Sequence, residues 1–123
     1  MTTVSVRYIV NSVESAIPFY RDRLGFDLIM HPAPSFAALS RGDLRLFLNQ
    51  PGAGGAGTAG GSPQPGGWNR IQLTVDDLNL VVAELGELGT TFRGDVVEGT
   101  GGRQILVEDP SGNPIELFEP SGP

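Results

Sequence analysis

Cysteine and lysine are missing from this chain, and histidine occurs only once, as His31. Without cysteine there is no disulfide, no thiolate nucleophile and no thiolate metal ligand. Without lysine there is no amine for Schiff-base chemistry. A single histidine also excludes any site that needs two or three histidine ligands from one chain. These absences remove several common classes of catalytic and metal centre.

Positive charge is also scarce, because eight arginines face 14 acidic residues and the net charge is −6. A nucleic-acid or anionic membrane partner is therefore not expected. No apolar run approaches the ~18–20 residues that span a bilayer, and the start lacks the basic-then-apolar order of a signal peptide. The expected location is the cytoplasm. A chain of 123 residues suits a single domain.

Glycine is concentrated in one segment, residues 52–67, which holds eight glycines and two prolines. This composition predicts a mobile linker between a first module of about residues 1–51 and a second of about 68–120. Residues 52–57 match GxGxxG formally. The motif binds a dinucleotide only when a helix follows, and here more glycine and proline follow, so nucleotide binding is not expected.

The first half reads as strand, helix and three strands. Apolar residues alternate from Val4 to Val10, and Asn11 or Ser12 can then cap a helix. That helix carries Val13, Ile17, Tyr20 and Leu24 at helical spacing, is interrupted by Pro18 and stops at Gly25. The three strands are predicted at residues 26–30, 36–40 and 44–49, with a hairpin turn at 41–43.

The second half repeats this order. Residues 71–75 alternate as a strand, and Asp76 or Asp77 can cap the next helix. The apolar stripe of this helix comprises Leu78, Val81, Val82, Leu85 and Leu88, and Gly89 ends it. Strands are predicted at residues 91–96, 104–108 and 114–119, with a type I turn at 109–112. The pattern therefore predicts an α+β fold of two βαβββ modules.

Two segments resemble a known family. Residues 16–26, AIPFYRDRLGF, are similar to the "FY…LGF" first helix of the vicinal oxygen chelate superfamily. This superfamily contains glyoxalases, bleomycin-resistance proteins and extradiol dioxygenases. Residues 107–119, VEDPSGNPIELFE, resemble its "EDPxGNxIEL" last hairpin, and residues 71–78 support both matches. The resemblance implies two curled half-sheets that enclose a cup.

Metal-dependent members of the family place four ligands, usually histidine and glutamate, on the strands of that cup. In register, the resemblance puts those positions at Ser5, Arg45, Arg70 and Glu116. Of these four residues, only Glu116 is of a type that the family uses as a metal ligand, and an arginine has no lone pair for a metal. Glu116 is therefore the one candidate catalytic residue, and no cofactor is expected, with a divalent metal as the less supported alternative.

The alternation of residues along the predicted strands separates an apolar face from a polar face. The polar face can be simply solvated, as in many antiparallel sheets, or it can line a ligand pocket with aromatic walls. We expect the pocket, and we expect Arg70 and Glu116 to form an ion pair. Arg7 and Arg45 are then left to bind an anionic or carbonyl-bearing ligand. The predicted ligand-binding residues are Ser5, Arg7, Arg45, Phe47, Asn49, Trp68, Arg70, Gln72 and Phe118.

Two single residues, Trp68 and His31, have open alternatives, whereas Tyr8 has one expected place. Trp68 can cover the cup, contact a partner or pack in the core. His31 is expected on an exposed irregular segment before Pro32, with a ligand role as the alternative. Tyr8 lies on the apolar face and is expected in the core.

The sequence favours a metal-independent protein that binds a small aromatic or oxygenated compound, as bleomycin-resistance relatives do. The alternative is a glyoxalase- or dioxygenase-like lyase, isomerase or oxygenase with an atypical metal site. A structural or regulatory domain that mainly binds itself is a third possibility. The resemblance also implies a homodimer, in which modules can be exchanged between chains.

Overall fold

The computed structural model describes residues 4–53 and 61–122. The contacts divide the chain into two compact units, Met1–Gly66 and Gly67–Pro123. Most of the predicted linker, residues 54–60, lies outside the described residues, and so does most of the GxGxxG match.

The first unit forms a four-stranded mixed sheet. Its strands are β1 (Val4–Ile9), β2 (Asp27–Ala33), β3 (Phe36–Arg41) and β4 (Leu44–Asn49), in the order β1-β4-β3-β2. β1 pairs with β4 in parallel, whereas β3 is antiparallel to both of its neighbours. The parallel pair requires a crossover, which the helical segment supplies.

Helix α1 (Val13–Pro18) begins where the sequence predicts a cap. The hydroxyl of Ser12 accepts a hydrogen bond from the backbone N–H of Ser15 at 3.2 Å. The helix passes at Phe19–Arg23 into one π-helical turn. Pro18 has no N–H to continue the α-helical ladder, which explains why the helix changes character at this residue. Gly25 then ends the segment with φ +75°.

Strand β2 is longer than the sequence predicts, because it continues through His31 and Pro32 to Ala33. The expectation of an irregular segment at His31 is therefore wrong. β2 is one of the two edge strands of its sheet, and an edge tolerates a proline that cannot donate a ladder hydrogen bond. The pairing with β3 shifts register between Leu28 and Met30 and again before Ala33. His31 is exposed.

The second unit repeats the plan with strands β5 (Ile71–Thr74), β6 (Thr91–Phe92), β7 (Val97–Glu98), β8 (Gly102–Glu108) and β9 (Pro114–Pro120). The order is β5-β9-β8-β6, and β7 also pairs with β8. β5 and β9 are parallel, as β1 and β4 are. Helix α2 (Leu78–Glu87) begins at Asp77, whose carboxylate accepts from the backbone N–H of Leu80 at 3.1 Å.

Two predictions for the second unit are wrong in detail. The single strand expected at residues 91–96 is two short strands, because Gly94 has φ +101° and Arg93 turns toward Glu108. Leu88 is 53% exposed instead of lying on the buried stripe, since the helix ends at Glu87 and the chain turns at Gly89.

Both units bury the apolar face of their sheets. Tyr8 is buried, as predicted, but Val4 on the same face is 62% exposed because it begins the edge strand. The fully or almost fully buried side chains include Val10, Val13, Tyr20, Leu46 and Leu48 in the first unit and Leu78, Leu85, Val107, Ile115 and Leu117 in the second. The predicted α+β fold with two βαβββ modules is confirmed.

Candidate functional site

Strand β4 of the first unit brings together the residues predicted to bind a ligand. Arg7 pairs with Phe47 and Ser5 pairs with Arg45 in the β1–β4 register. Because side chains at paired positions share a face, these residues form one patch. The guanidinium carbons of Arg7 and Arg45 lie 5.3 and 5.6 Å from the centroid of the Phe47 ring. Two cations therefore share one aromatic ring.

Phe36 extends this patch on the neighbouring strand. Its ring centroid lies 5.7 Å from that of Phe47, with the ring planes tilted by 58°. Phe36 pairs with Asn49 in the β3–β4 register. We call Arg7, Phe36, Arg45, Phe47 and Asn49 the arginine–phenylalanine cluster. Ser5 lies beside it and is exposed.

Asn49 orients the polar end of this cluster. Its side-chain carbonyl Oδ1 accepts a hydrogen bond from Nη1 of Arg7. Arginine has no acceptor, so this contact requires that the amide oxygen faces Arg7 and that Nδ2 faces away. Asn49 is only 1% exposed, and Nδ2 has no partner among residues 4–53 and 61–122. Nε of Arg45 is also buried and lacks a partner within the same described ranges.

The charges of the cluster are not neutralised within the described parts of the chain. Neither Arg7 nor Arg45 belongs to an ion pair within those parts. Arg45 is half-buried, and such a cation is ordinarily paired because burial removes its hydration, whereas Arg7 is exposed. The cluster thus offers only donors and positive charge.

The second unit places the remaining predicted residues in a closed network. Glu116 is 8% exposed and its Oε1 lies 2.9 Å from Nη2 and 3.0 Å from Nε of Arg70. Its Oε2 accepts a hydrogen bond from Nε2 of Gln72 at 2.6 Å. The predicted Arg70–Glu116 ion pair is confirmed. Gln72 and Glu116 meet because they are register partners in β5 and β9.

Trp68 is not a core residue, which removes one of its alternatives. Its side chain is 68% exposed, and the Arg93 guanidinium lies 4.6 Å from its ring centroid. Arg93 also bonds Oε2 of Glu108 at 2.8 Å and the carbonyls of Gly67 and Gly112 at 2.7 and 2.9 Å. Arg93 was not predicted as a functional residue, because the sequence pattern placed it inside a single strand. In the structure it contacts the Trp68 ring, the Glu108 carboxylate and two backbone carbonyls.

Phe118 is the last of the predicted residues, and it lies half-buried on β9 opposite Thr74 and Gln104. The neighbouring Glu119 was not predicted. Its Oε1 accepts from the backbone N–H of Leu78 at 2.8 Å and from Nη2 of Arg103 at 3.2 Å. The Leu78 hydrogen bond, followed by Arg103, holds the pKa of Glu119 below its usual value. This carboxylate attaches the start of α2 to β9.

A surface depression in the second unit is formed by Glu98, Gly102, Arg103 and Glu119 among others. None of the residues predicted to bind a ligand lines it. Arg103 and Glu119 bind each other there, so the depression offers few unpaired polar groups. The arginine–phenylalanine cluster, with two unpaired buried donors, is the better candidate site.

The residues at the four positions that the resemblance implies for a metal do not fit one. Arg45 and Arg70 have no lone pair to donate. Ser5 is a weak neutral ligand, and both oxygens of Glu116 already accept from protein donors. Within the described ranges, no group of three or more His, Asp or Glu side chains is placed to hold an ion. These positions therefore support no step that passes through a metal.

Solved structures share this fold over nearly the whole chain. A superfamily member from Sphaerobacter thermophilus is 27% identical, with a TM-score of 0.79 and 97% of both chains covered. TnmS3, an antibiotic binding protein from Streptomyces sp. CB03234, is 28% identical, with a TM-score of 0.75, 98% of this chain and 97% of that chain covered. A lactoylglutathione lyase from Agrobacterium tumefaciens is 18% identical, with a TM-score of 0.76, 96% of this chain and 92% of that chain covered.

The fold thus occurs in both binding proteins and enzymes, and it does not by itself distinguish them. No curated protein matches the chain. The sequence model of the Glyoxalase/Bleomycin resistance protein/Dioxygenase superfamily matches residues 3–117. The two mixed sheets and the match across both modules show that this chain belongs to the Glyoxalase/Bleomycin resistance protein/Dioxygenase superfamily.

Proposed function

We propose that this chain binds a small aromatic or oxygenated molecule without a metal. The observation that carries the proposal is the state of Glu116. The carboxylate that relatives use as a metal ligand accepts from Arg70 and Gln72 through both of its oxygens. A metal would have to displace two short hydrogen bonds and approach a guanidinium cation, which Coulomb repulsion opposes.

The first unit supplies the groups that a ligand needs. The arginine–phenylalanine cluster combines ring surface with hydrogen-bond donors, and ligand sites typically pair apolar walls with a few directed polar groups. The neighbour TnmS3 is an antibiotic binding protein and is similar to this chain along its whole length. That similarity supports a binding function of the resistance type.

The alternative is a lyase, isomerase or oxygenase with a degenerate metal site, and the presence of a carboxylate at position 116 favours it. For that function, Glu116 would act as a base or ligand. Its two protein partners oppose both roles, because each oxygen already accepts from a neighbouring donor.

A thermal-shift screen of aromatic and oxygenated compounds tests the proposal, run in EDTA and again with Mn²⁺, Ni²⁺, Zn²⁺ or Fe²⁺. A ligand raises the melting temperature according to its concentration over its Kd. We expect the same hits with EDTA as with metal, and no product from any hit. Stoichiometric metal in the dialysed protein, with hits that vanish in EDTA, would favour the enzyme instead.

The expected partners are this small molecule and a second copy of the chain, with no nucleic acid and no membrane. No described helix is long and apolar enough to cross a bilayer. The edge strand β2 supports self-association, since Leu28, Ile29 and Met30 are 40–47% exposed on it. We propose a homodimer, and the cytoplasmic location inferred from sequence remains a prediction.

A further inference from the structure

We propose that the arginine–phenylalanine cluster binds the carboxylate of an aromatic acid. This inference rests on the proposed binding function and specifies the class of ligand. Three observations in the first unit support it: the direction of the Asn49 amide, the unpaired Nε of Arg45, and the absence of an ion pair for Arg7 within the described residues.

The polar groups of the cluster that lack a partner are donors. Arg7 and Arg45 can only donate, and the single side-chain acceptor, Oδ1 of Asn49, is already bonded to Arg7. The remaining Nδ2 of Asn49 and Nε of Arg45 are buried donors with no partner in the described ranges. A buried donor without a partner is energetically unfavourable, so a ligand acceptor that either group turns to meet would remove this cost on binding.

The charge of the cluster selects an anion among possible acceptors. Two guanidinium groups lie within 6 Å of one ring, and no described carboxylate pairs with either. A neutral carbonyl would satisfy a donor but would leave both charges uncompensated. A carboxylate satisfies the donors and also compensates the charges, and its two oxygens match the planar guanidinium fork.

The flat surfaces of the cluster select an aromatic body for the ligand. Phe36 and Phe47 are half-buried, and their rings form one tilted pair beside the guanidinium planes. A planar ring can pack on these surfaces while its acid group reaches the donors. A small aliphatic acid would meet the same donors but would leave the rings in water.

The test measures calorimetric binding of four probes to the full chain: 2-naphthoate, its neutral amide 2-naphthamide, the cation 2-(aminomethyl)naphthalene, and acetate. We expect 2-naphthoate to bind at least tenfold more tightly than each of the others and to weaken as salt rises. Comparable binding of naphthamide overturns the anion requirement. Comparable binding of acetate overturns the aromatic requirement.

The isosteric variant Asn49→Asp provides the sharpest test with altered protein. It places a carboxylate beside Arg7, so the protein itself supplies the anion that we assign to the ligand. We expect the naphthoate affinity to fall at least tenfold while the melting temperature holds or rises, which separates lost binding from lost folding. Unchanged naphthoate affinity in Asn49→Asp overturns the proposal.

Arg45→Gln and Arg7→Gln are each expected to weaken naphthoate about tenfold and to weaken naphthamide by a smaller factor, because the amide loses a donor but no charge partner. Arg21→Gln is the matched control, because it removes one charge from an exposed arginine that pairs with Asp22. If Arg21→Gln weakens naphthoate as much as Arg45→Gln does, only net charge matters and the site is wrong. Metal-dependent binding of naphthoate would instead contradict the proposed metal-free function.

Discussion

Nη2 of Arg70 lies 2.9 Å from Oε1 of Glu116, while Gln72 bonds the other oxygen of the same carboxylate. The family resemblance implies a metal ligand at position 116, and here that carboxylate binds an arginine from the same unit. The carboxylate thus has a positively charged partner within the protein.

Glu116→Gln should destabilise the chain by about 1–3 kcal/mol, because it leaves Arg70 without its anion and only one acceptor oxygen for the two donors Arg70 and Gln72. The 29% exposure of the Arg70 side chain lets water offset part of this loss. Urea unfolding measures the change. Asp22→Asn, which breaks the exposed Arg21 pair, is the control and should leave stability unaltered. Equal effects of the two variants would contradict a structural role for the buried network.

Stability should depend on pH through Glu119. Its pKa is lowered in the folded chain, first by the Leu78 hydrogen bond and then by Arg103, from an ordinary value of 4.5. A lowered pKa means that the stabilisation is present above the unfolded value and is lost as pH falls through the folded one. The stability difference between wild type and Glu119→Gln should therefore be largest near neutral pH and disappear in acid. Urea unfolding at a series of pH values would show it, and a difference that grows in acid would refute this assignment.

Arg93→Ala should loosen Trp68, because Arg93 both stacks on the indole and holds the carbonyls of Gly67 and Gly112. Trp68 is the only tryptophan, so its near-ultraviolet circular dichroism reports this corner alone. We expect a reduced indole signal and a loss of about 1–3 kcal/mol in unfolding free energy. Arg93→Lys keeps the charge without the planar fork, so its indole signal and unfolding free energy should lie between those of the wild type and Arg93→Ala. An unchanged indole signal in Arg93→Ala would count against the contact.

Gly102→Ala should cost about 2–4 kcal/mol, because a Cβ there would clash with the backbone oxygen of Glu119 and force β8 and β9 apart. Gly86→Ala is the matched control on helix α2, where a Cβ meets nothing within 4 Å. Alanine is the better helix former, so Gly86→Ala should raise stability by about 0.5–1 kcal/mol. Denaturant midpoints compare the two. A tolerated Gly102→Ala would mean that the hairpin is less tightly packed than described.

Ile29→Arg should convert the proposed dimer to a monomer, since it places a charge on the exposed apolar edge strand β2. Leu80→Arg is the control, because Leu80 is similarly exposed at 54% but lies on helix α2. Sedimentation equilibrium gives the masses, and we expect only Ile29→Arg to lower them. A dimer that survives Ile29→Arg would move the interface away from β2.

The helix caps, the helix ends and the buried strand faces could be predicted from the sequence, because each depends on residues that are close together in the chain. Ser12 and Asp77 cap helices because their side chains reach the backbone three residues ahead, and Gly25 and Gly89 end them by taking positive φ. The alternation of Leu46 and Leu48 with Arg45 and Phe47 likewise predicts which face is buried. Periodicity determines these features without knowledge of distant residues.

Only the tertiary structure decided which groups in the site are already satisfied. Arg45 and Arg70 are the same residue type on the same predicted polar face. One lies beside a phenylalanine with Nε unpaired, and the other is locked to Glu116, 46 positions away in sequence. Strand register and the turn of each side chain make that difference, and these depend on contacts between distant segments. Composition and spacing could therefore identify two modules and a candidate site, whereas the fold had to show which of its charges remain available to a ligand.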